Sequence, residues 1–329
     1  MADRRQQLIE VFNDTQNFYT ENEILKTAVS YSREHTVLYE ADDYPDLPIL
    51  GTMESLRMIA DDPSGSLSAQ GAAAHAITQL EAGNPNDPVQ HRQEIRVSKD
   101  RTFEAAINLS REFPGKKIAV LNFASATRPG GGVKNGSTAQ EESLCRCSTL
   151  YPTLDRRWLW QKYYDVNRVA HDVKHTDACI YSPKIIICKT DTSLPQRVTE
   201  NQFVTVDVIS CAAPNLRNEP SNWHNPETGK PVNMDSQQLL EIHLRRARHI
   251  FHVAAANNVE ILILGAFGCG AFANDPVTVA QAYRMAIAEY RARFDVIDFA
   301  IYCRDSETEN YKAFYEKFKI LLSSESPHS

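Results

Sequence analysis

Short apolar runs, several of them nearly continuous, alternate with amphipathic stretches along most of the chain, and this alternation restricts the possible folds. The apolar runs are IRVSKD, KKIAVLNFAS, PKIIICK, FVTVDVISCAAP, VEILILGAF and VIDFAIYC. Strands with little polar alternation are covered on both faces of their sheet. The stretches between them have helical periodicity, most clearly QQLLEIHLRRARHIFHVAAAN. The pattern predicts an α/β layered fold with a largely parallel or mixed sheet between helices.

The regular pattern begins near residue 94 and divides the chain into three parts. Residues 1–93 form an N-terminal accessory region, mainly helical over 4–40, with a mobile loop expected at about 61–90, where small and turn-forming residues dominate. Residues 94–322 hold the alternating strands and helices and predict one α/β domain. Residues 323–329, SSESPHS, predict a disordered polar tail.

Charge and cysteine content argue against several classes of protein. The 329 residues carry a formal net charge of −7, with a pI of about 5.8. This balance argues against a general nucleic-acid or membrane-surface binder, so we expect no direct DNA binding and no membrane association. Seven cysteines, scattered through apolar runs, indicate reduced thiols and hence an intracellular protein, cytoplasmic or nuclear.

Two glycine-rich loops mark the expected ligand site. Seven of the 13 glycines lie in positions 130–136 and 265–270, and each segment follows an apolar strand and precedes a helix. In an α/β sheet such loops lie at the carboxyl edge of the strands, where ligands usually bind. Glycine allows close backbone approach and a helix start offers free N–H groups, so a phosphate or diphosphate is the simplest ligand. Neither loop has the GxxxxGK[ST] or GxGxxG nucleotide-binding pattern.

Two adjacent glutamates follow the first glycine loop, and the residues alone leave two interpretations open. Thr138 and Glu141 fit a capping box at a helix start, and Glu142 and Arg146 have the spacing of a helical ion pair. Alternatively, the carboxylates act on a ligand. A loop that binds an anion would repel them unless they address another part of that ligand.

The segment LNFASATRPGGGVKNGSTAQEESLCRCSTLY resembles the signature of the poly(ADP-ribose) glycohydrolases, in which GGG is followed after a short spacer by QEE. The spacer here is seven residues, and the resemblance is to the bacterial-type branch. Further similar segments are IYSP, AAPNLR, LGAFGCGAFANDP and FAIYCRD. The resemblance implies a macrodomain, a three-layer α/β/α sandwich with a mixed sheet that binds ADP-ribose, as the catalytic domain over residues 94–322.

The resemblance also implies residue roles. Glu142 corresponds to the catalytic glutamate, which protonates the leaving hydroxyl oxygen and then deprotonates water. This role needs a raised pKa, which burial beside a second carboxylate would supply. Glu141 is expected to hold ribose hydroxyls on the leaving side. The other expected substrate contacts are Gln140, Gly130, Gly131, Gly132, Val133, Asn122, Ser125, Gly268, Cys269, Gly270, Ala271, Phe272 and Tyr302.

Within that set, the resemblance implies more specific positions. Gly130–Val133 would shape the loop beside the distal ribose and diphosphate, residues 268–272 would form the diphosphate loop, and Phe272 would pack on the distal ribose. Ser125 departs from the asparagine found in many relatives. Tyr302 either stacks on adenine or is an ordinary core tyrosine.

We therefore expect an exo-acting poly(ADP-ribose) glycohydrolase that releases ADP-ribose from poly(ADP-ribose) and poly-ADP-ribosylated proteins, and so reverses ADP-ribosylation in the DNA damage response. The alternatives are a non-catalytic macrodomain that binds terminal ADP-ribose and a hydrolase of protein-linked mono-ADP-ribose. The resemblance implies neither a cofactor nor a metal.

Two further motifs have simpler interpretations. His171, His175 and Cys179 are four residues apart and could share a helical face, but they have no acidic partner at ligand spacing, so a metal site is not expected. The basic segment HLRRARH, residues 243–249, is interpreted as the solvated face of an amphipathic helix.

Overall fold

The computed structural model describes residues 2–45, 47, 94–221, 229–304, 306 and 308–322. The strands are β1 (Val37–Tyr39), β2 (Glu94–Ser98), β3 (Ile118–Phe123), β4 (Cys179–Ile187), β5 (Val204–Cys211), β6 (Ile261–Leu264) and β7 (Val296–Ala300). The helices are α1 (Ala2–Glu21), α2 (Glu23–His35), α3 (Thr102–Glu112), α4 (Gln140–Cys147), α5 (Tyr151–Leu154), α6 (Arg157–Leu159), α7 (Asp165–Ala170), α8 (Ser236–Ala256), α9 (Pro276–Tyr290) and α10 (Glu309–Leu322). A π-helical turn spans Trp160–Tyr164, and 3₁₀ turns span Val133–Asn135, Glu200–Gln202 and Arg291–Arg293.

One mixed sheet joins all seven strands in the order β1-β4-β5-β3-β6-β7-β2. The five strands from β5 to β2 are parallel, whereas β4 and β1 run antiparallel to their neighbours. Every strand expected from an apolar run is present. Because β5, β3, β6 and β7 are parallel neighbours, the loops that follow them meet at one edge of the sheet.

Helices cover both faces of the sheet. On β3, Ala119 and Leu121 face a core cluster formed with α8, α9 and α10, whereas Ile118 and Val120 face the cluster formed with α3 and α4. Successive strand side chains point to opposite faces, so both sets are buried only if both faces are covered. The expected mixed-sheet α/β fold with helical layers on both faces is therefore confirmed.

The N-terminal region packs on the antiparallel side of the sheet. The two helices of this region, α1 and α2, are separated at Asn22. The Asn22 side chain caps α2 by accepting the Leu25 N–H at 3.1 Å. Leu25 and Val29 then pack against Ile186 of β4. The helical extension is confirmed, but the helical expectation for 4–40 is wrong over Val37–Tyr39, which forms β1. The predicted loop at 61–90 and tail at 323–329 lie outside the described residues.

The basic segment of α8 is not a solvated face. Arg246 is completely buried, and its Nε donates to Asp177 Oδ1 at 2.7 Å. The terminal nitrogens of Arg246 donate to the carbonyl oxygens of Ala212 and Lys174, both at 2.7 Å. The exposed interpretation is wrong for Arg246, and also for the buried His243 and His249. An arginine can be buried here because a carboxylate and several carbonyls accept hydrogen bonds from its N–H groups.

Among the described helices, none combines the length and the apolar character that a membrane crossing requires.

Candidate functional site

A cleft of about 520 Å³ opens at the carboxyl edge of the sheet. The loops after β2, β3, β5, β6 and β7 form its walls, together with the first turn of α4. The residues selected from the sequence that line it are Ser125, Gly131, Gly132, Gln140, Glu141, Glu142, Gly268, Gly270, Ala271, Phe272 and Tyr302. Segments far apart in the sequence therefore meet in one cavity, as the parallel order of the strands requires.

The first glycine loop holds the two glutamates. Glu142 Oε1 accepts the N–H of Gly132 at 2.8 Å. Glu141 Oε1 accepts the N–H of Gly130 at 3.2 Å, and Glu141 Oε2 accepts the N–H of Ser125 at 2.7 Å. Both glutamates are buried, with exposed fractions of 3% and 7%. The anions that these glycine amides bind are thus the protein's own carboxylates.

This arrangement corrects three expectations. The capping box is wrong, because α4 begins at Gln140 after the N-cap Ala139 and has no side-chain cap. Among the described residues, Glu142 and Arg146 form no salt bridge, and Arg146 donates instead to the Ser137 carbonyl at 2.7 Å. The amides of Gly130 and Gly132 are occupied by the glutamates, so they are not diphosphate donors in this structure.

Gly131 allows this close approach. Its φ of +53° is in the left-handed region, and a β-carbon at this position would lie 2.6 Å from Glu142 Oε1. Any other residue would therefore strain the backbone and displace the carboxylate. The glutamates thus explain Gly131, whereas a β-carbon at Gly130 would meet the Tyr151 ring and one at Gly132 would meet Ser137.

One oxygen of the glutamate pair differs from the others. Glu142 Oε2 is buried and has no hydrogen-bond partner among the described residues, whereas the other three carboxylate oxygens each accept an N–H. Burial, and then the charge of Glu142, raise the pKa of Glu141 to about 8 against the opposing effect of its N–H donors. Glu141 therefore keeps its proton to a higher pH than an ordinary glutamate.

Two predicted contacts support the glutamates from below. Asn122 is completely buried and donates from Nδ2 to Glu141 Oε1 at 3.3 Å and to Ser210 Oγ at 2.9 Å. The side-chain amide of Gln140 bonds the backbone of β3 through both of its polar atoms. Its Oε1 accepts the Phe123 N–H and its Nε2 donates to the Leu121 carbonyl, each at 2.8 Å. Both side chains hold the start of α4 against β3.

The second glycine loop has a different organisation. Asn274 fixes it by donating from Nδ2 to the carbonyls of Gly268 and Phe272, at 3.0 and 3.2 Å, and to that of Pro214 at 2.7 Å. Because its amide group donates in this way, Asn274 Oδ1 accepts from His243 Nε2, at 2.8 Å. No hydrogen bond among the described residues uses the N–H groups of Gly270, Ala271 or Phe272. This loop, unlike the first, presents free donors.

Tyr302 lies at the end of the cleft formed by the loops after β2 and β7. Its side chain is 52% exposed, so the core alternative is wrong. The guanidinium of Arg101 lies 3.9 Å from the centre of its ring, a cation–π contact. An exposed ring that lines a cleft can stack on a planar ligand.

Four of the residues selected from the sequence do not line the cleft: Gly130, Val133, Asn122 and Cys269. Val133 belongs to the core cluster beneath α4, and the Cys269 thiol donates to the Phe267 carbonyl. Sequence reasoning also missed many polar residues that line it, among them Arg101, Thr102, Arg128, Asn215 and Arg217. Asn215 and Arg217 could have been selected from the sequence, because both belong to the segment AAPNLR, which directly follows β5.

The candidate histidine and cysteine positions do not converge. His171 ends α7 in the left-handed conformation, Cys179 begins β4, and the ring of His175 bonds the Ala213 carbonyl at 2.9 Å. The shared helical face is therefore wrong. Across the parts of the chain that the structure describes, no cluster of three or more His, Cys, Asp or Glu is arranged to hold a metal.

The sequence model of the microbial-type poly(ADP-ribose) glycohydrolase catalytic domain matches residues 6–190, a range that includes the glycine turn and both glutamates. The chain belongs to this family. Its members are glycosidases that hydrolyse poly(ADP-ribose), and the match extends into the N-terminal helices.

Solved structures agree with this assignment. The poly(ADP-ribose) glycohydrolase of Deinococcus radiodurans, determined in complex with ADP-ribose, is 30% identical, with a TM-score of 0.63 over 89% of this chain and 98% of that one. The poly(ADP-ribose) glycohydrolase of Thermomonospora curvata is 23% identical and has the same fold, with a TM-score of 0.68 over 95% of this chain and 100% of that one. No curated protein matched.

Proposed function

We propose that this protein hydrolyses the ribose–ribose O-glycosidic bond of poly(ADP-ribose) and releases ADP-ribose from chain ends, with Glu142 as the general acid and base. One observation carries the proposal: Glu142, which lines the cleft beside the glycine turn, has a buried carboxylate oxygen, Oε2, that no described residue satisfies. A buried oxygen without a partner needs one from the ligand. Poly-ADP-ribosylated proteins are the substrates in this proposal.

The proposed mechanism assigns distinct roles to the two glutamates. Protonated Glu142 Oε2 gives its proton to the leaving ribose oxygen as the glycosidic bond breaks, which leaves an oxocarbenium-like ribose. Water then attacks this centre and returns a proton to the Glu142 carboxylate. Glu141 receives N–H bonds at both oxygens, which hold its carboxyl group in position to bond the ribose hydroxyls on the leaving side.

The rest of the ligand follows the walls of the cleft. In our proposal the diphosphate lies at residues 268–272, the distal ribose packs on Phe272, and the adenine stacks on Tyr302. The free N–H groups after Gly268 and the exposed ring of Tyr302 support these positions. Gly131 and Gly132 border the scissile bond through their contact with Glu142.

The test compares wild-type protein and Glu142→Gln on poly(ADP-ribose) and on mono-ADP-ribosylated protein, with free ADP-ribose as the readout. Wild-type release from the polymer that the variant lacks supports the proposal. Binding of ADP-ribose without release by the wild type would identify a non-catalytic binding module. Release only from the mono-ADP-ribosylated protein would identify a different hydrolase.

A further inference from the structure

Arg217 lines the cleft next to the second glycine loop and is only partly satisfied. Its Nε donates to the Ala271 carbonyl, and its guanidinium lies 5.7 Å from the centre of the Phe272 ring. The side chain is half-buried. The terminal guanidinium nitrogens form no hydrogen bond or ion pair with any residue that the structure describes.

Such an arginine needs an explanation in an acidic protein. The half-buried Arg96, for comparison, bonds both Glu94 and Glu112 at 2.6 Å. Burial of a cation is costly unless an anion or several acceptors compensate for lost hydration. Arg217 has one carbonyl acceptor and no carboxylate partner within the described residues, so its terminal nitrogens remain available to an anion in the cleft.

The backbone beside Arg217 offers further donors to the same place. The N–H groups of Gly270, Ala271 and Phe272 make no bond among the described residues, and the Ala271 carbonyl accepts from Arg217. Asn274 fixes the two sides of this loop through Gly268 and Phe272, so the donors are held in position. Fixed amides beside a free guanidinium suit an anion with several acceptor oxygens.

We propose that Arg217 is a substrate-binding residue that pairs with the diphosphate of the terminal ADP-ribose unit. The inference rests on the proposed function and extends it, because it adds a cation to a loop for which the sequence implied only backbone contacts. The contact with the Phe272 ring and the bond to the Ala271 carbonyl restrict the guanidinium, and its terminal N–H groups would bond the phosphate oxygens.

Calorimetric titration of wild type, Arg217→Gln and Arg217→Lys with ADP-ribose, ADP and adenosine tests the inference. Loss of a charge-assisted bond should weaken ADP-ribose and ADP binding of Arg217→Gln by about 10- to 100-fold and leave adenosine binding unchanged. Arg217→Lys should recover part of the affinity. Added salt should weaken ADP-ribose binding more for the wild type than for Arg217→Gln.

The control is Arg248→Gln, which removes a surface arginine paired with Glu289 and should leave all affinities unchanged. Equal ADP-ribose affinity of Arg217→Gln and wild type, with equal salt dependence, would overturn the inference while leaving the proposed function intact. Equal weakening of adenosine and ADP would also overturn it, because a merely structural role affects both ligands. A wild-type protein that binds no ADP-ribose would overturn both proposals.

Discussion

Glu142 Oε1 accepts the backbone N–H of Gly132 at 2.8 Å, so the glycine turn holds the carboxylate to which we assign proton transfer. The bond occupies one oxygen and leaves Oε2, which is buried, without a partner among the described residues. The distance between the carboxylate and the substrate therefore depends on a backbone turn, and small changes in that turn should affect catalysis more than stability.

Gly131→Ala should test this dependence. The added β-carbon would lie 2.6 Å from Glu142 Oε1, so the carboxylate must move. We expect kcat to fall by about 100-fold, the effect of a displacement near 1 Å. Gly115→Ala is the matched control, because Gly115 also has a positive φ, +85°, but its β-carbon would meet nothing within 4 Å. It should lose some stability and keep full activity. Equal losses of activity would show that backbone strain alone matters.

Tyr302 should contribute to affinity without contributing to folding. The ring is 52% exposed, so Tyr302→Ala should leave the unfolding temperature nearly unchanged. Loss of base stacking should weaken ADP-ribose binding by about 1–3 kcal/mol, while Tyr302→Phe, which keeps the ring, should bind like the wild type. Titration of both variants checks this. Unchanged affinity of Tyr302→Ala would place the adenine elsewhere.

The buried ion pair of Arg246 and Asp177 should contribute strongly to the free energy of unfolding. Asp177→Asn leaves a fully buried guanidinium without its carboxylate, and we expect a loss of about 3–5 kcal/mol in the free energy of unfolding. Arg248→Ala is the control, because its ion pair with Glu289 is exposed and should contribute about 0–1 kcal/mol. Urea denaturation measures both. A similar small loss in the two variants would contradict the account.

Glu141 should make stability depend on pH. Its pKa is raised from 4.5 to about 8, so the folded state keeps a proton that the unfolded state loses. The stabilising contribution is full below pH 4.5 and is lost as pH rises to about 8. The measurement uses pH 6 to 8, because Asp298, whose pKa burial raises to about 6, titrates mainly below this interval. As the pH rises from 6 to 8, wild type should lose stability relative to Glu141→Gln. Parallel melting curves for the two proteins would refute the prediction.

The sheet was predictable because its strands are buried on both faces and therefore appear as apolar runs in the sequence. β1 was not, because Val37–Tyr39 is only three residues long, pairs with β4 far along the chain and directly follows a helix. The burial of Arg246 could not be predicted from the sequence either. Helical periodicity places it on α8, but the acceptors that make its burial possible come from Asp177 and the loop after β5.

The position of the site could be predicted from the sequence, but the hydrogen bonds within it could not. Glycine after a buried strand indicates the ligand edge, and both glycine loops do line the cleft. Sequence spacing could not show that the first loop binds Glu141 and Glu142 while the second leaves its amides free. That difference depends on how the start of α4 folds back over the turn, which is a tertiary relationship.

The most direct test of the account is the release of ADP-ribose from purified poly(ADP-ribose) by wild type and Glu142→Gln, combined with ADP-ribose titration of both. The substitution keeps an oxygen for the Gly132 N–H but removes the proton donor, so release should fall by at least about 100-fold while affinity for ADP-ribose remains. Full release by Glu142→Gln would contradict the central assignment.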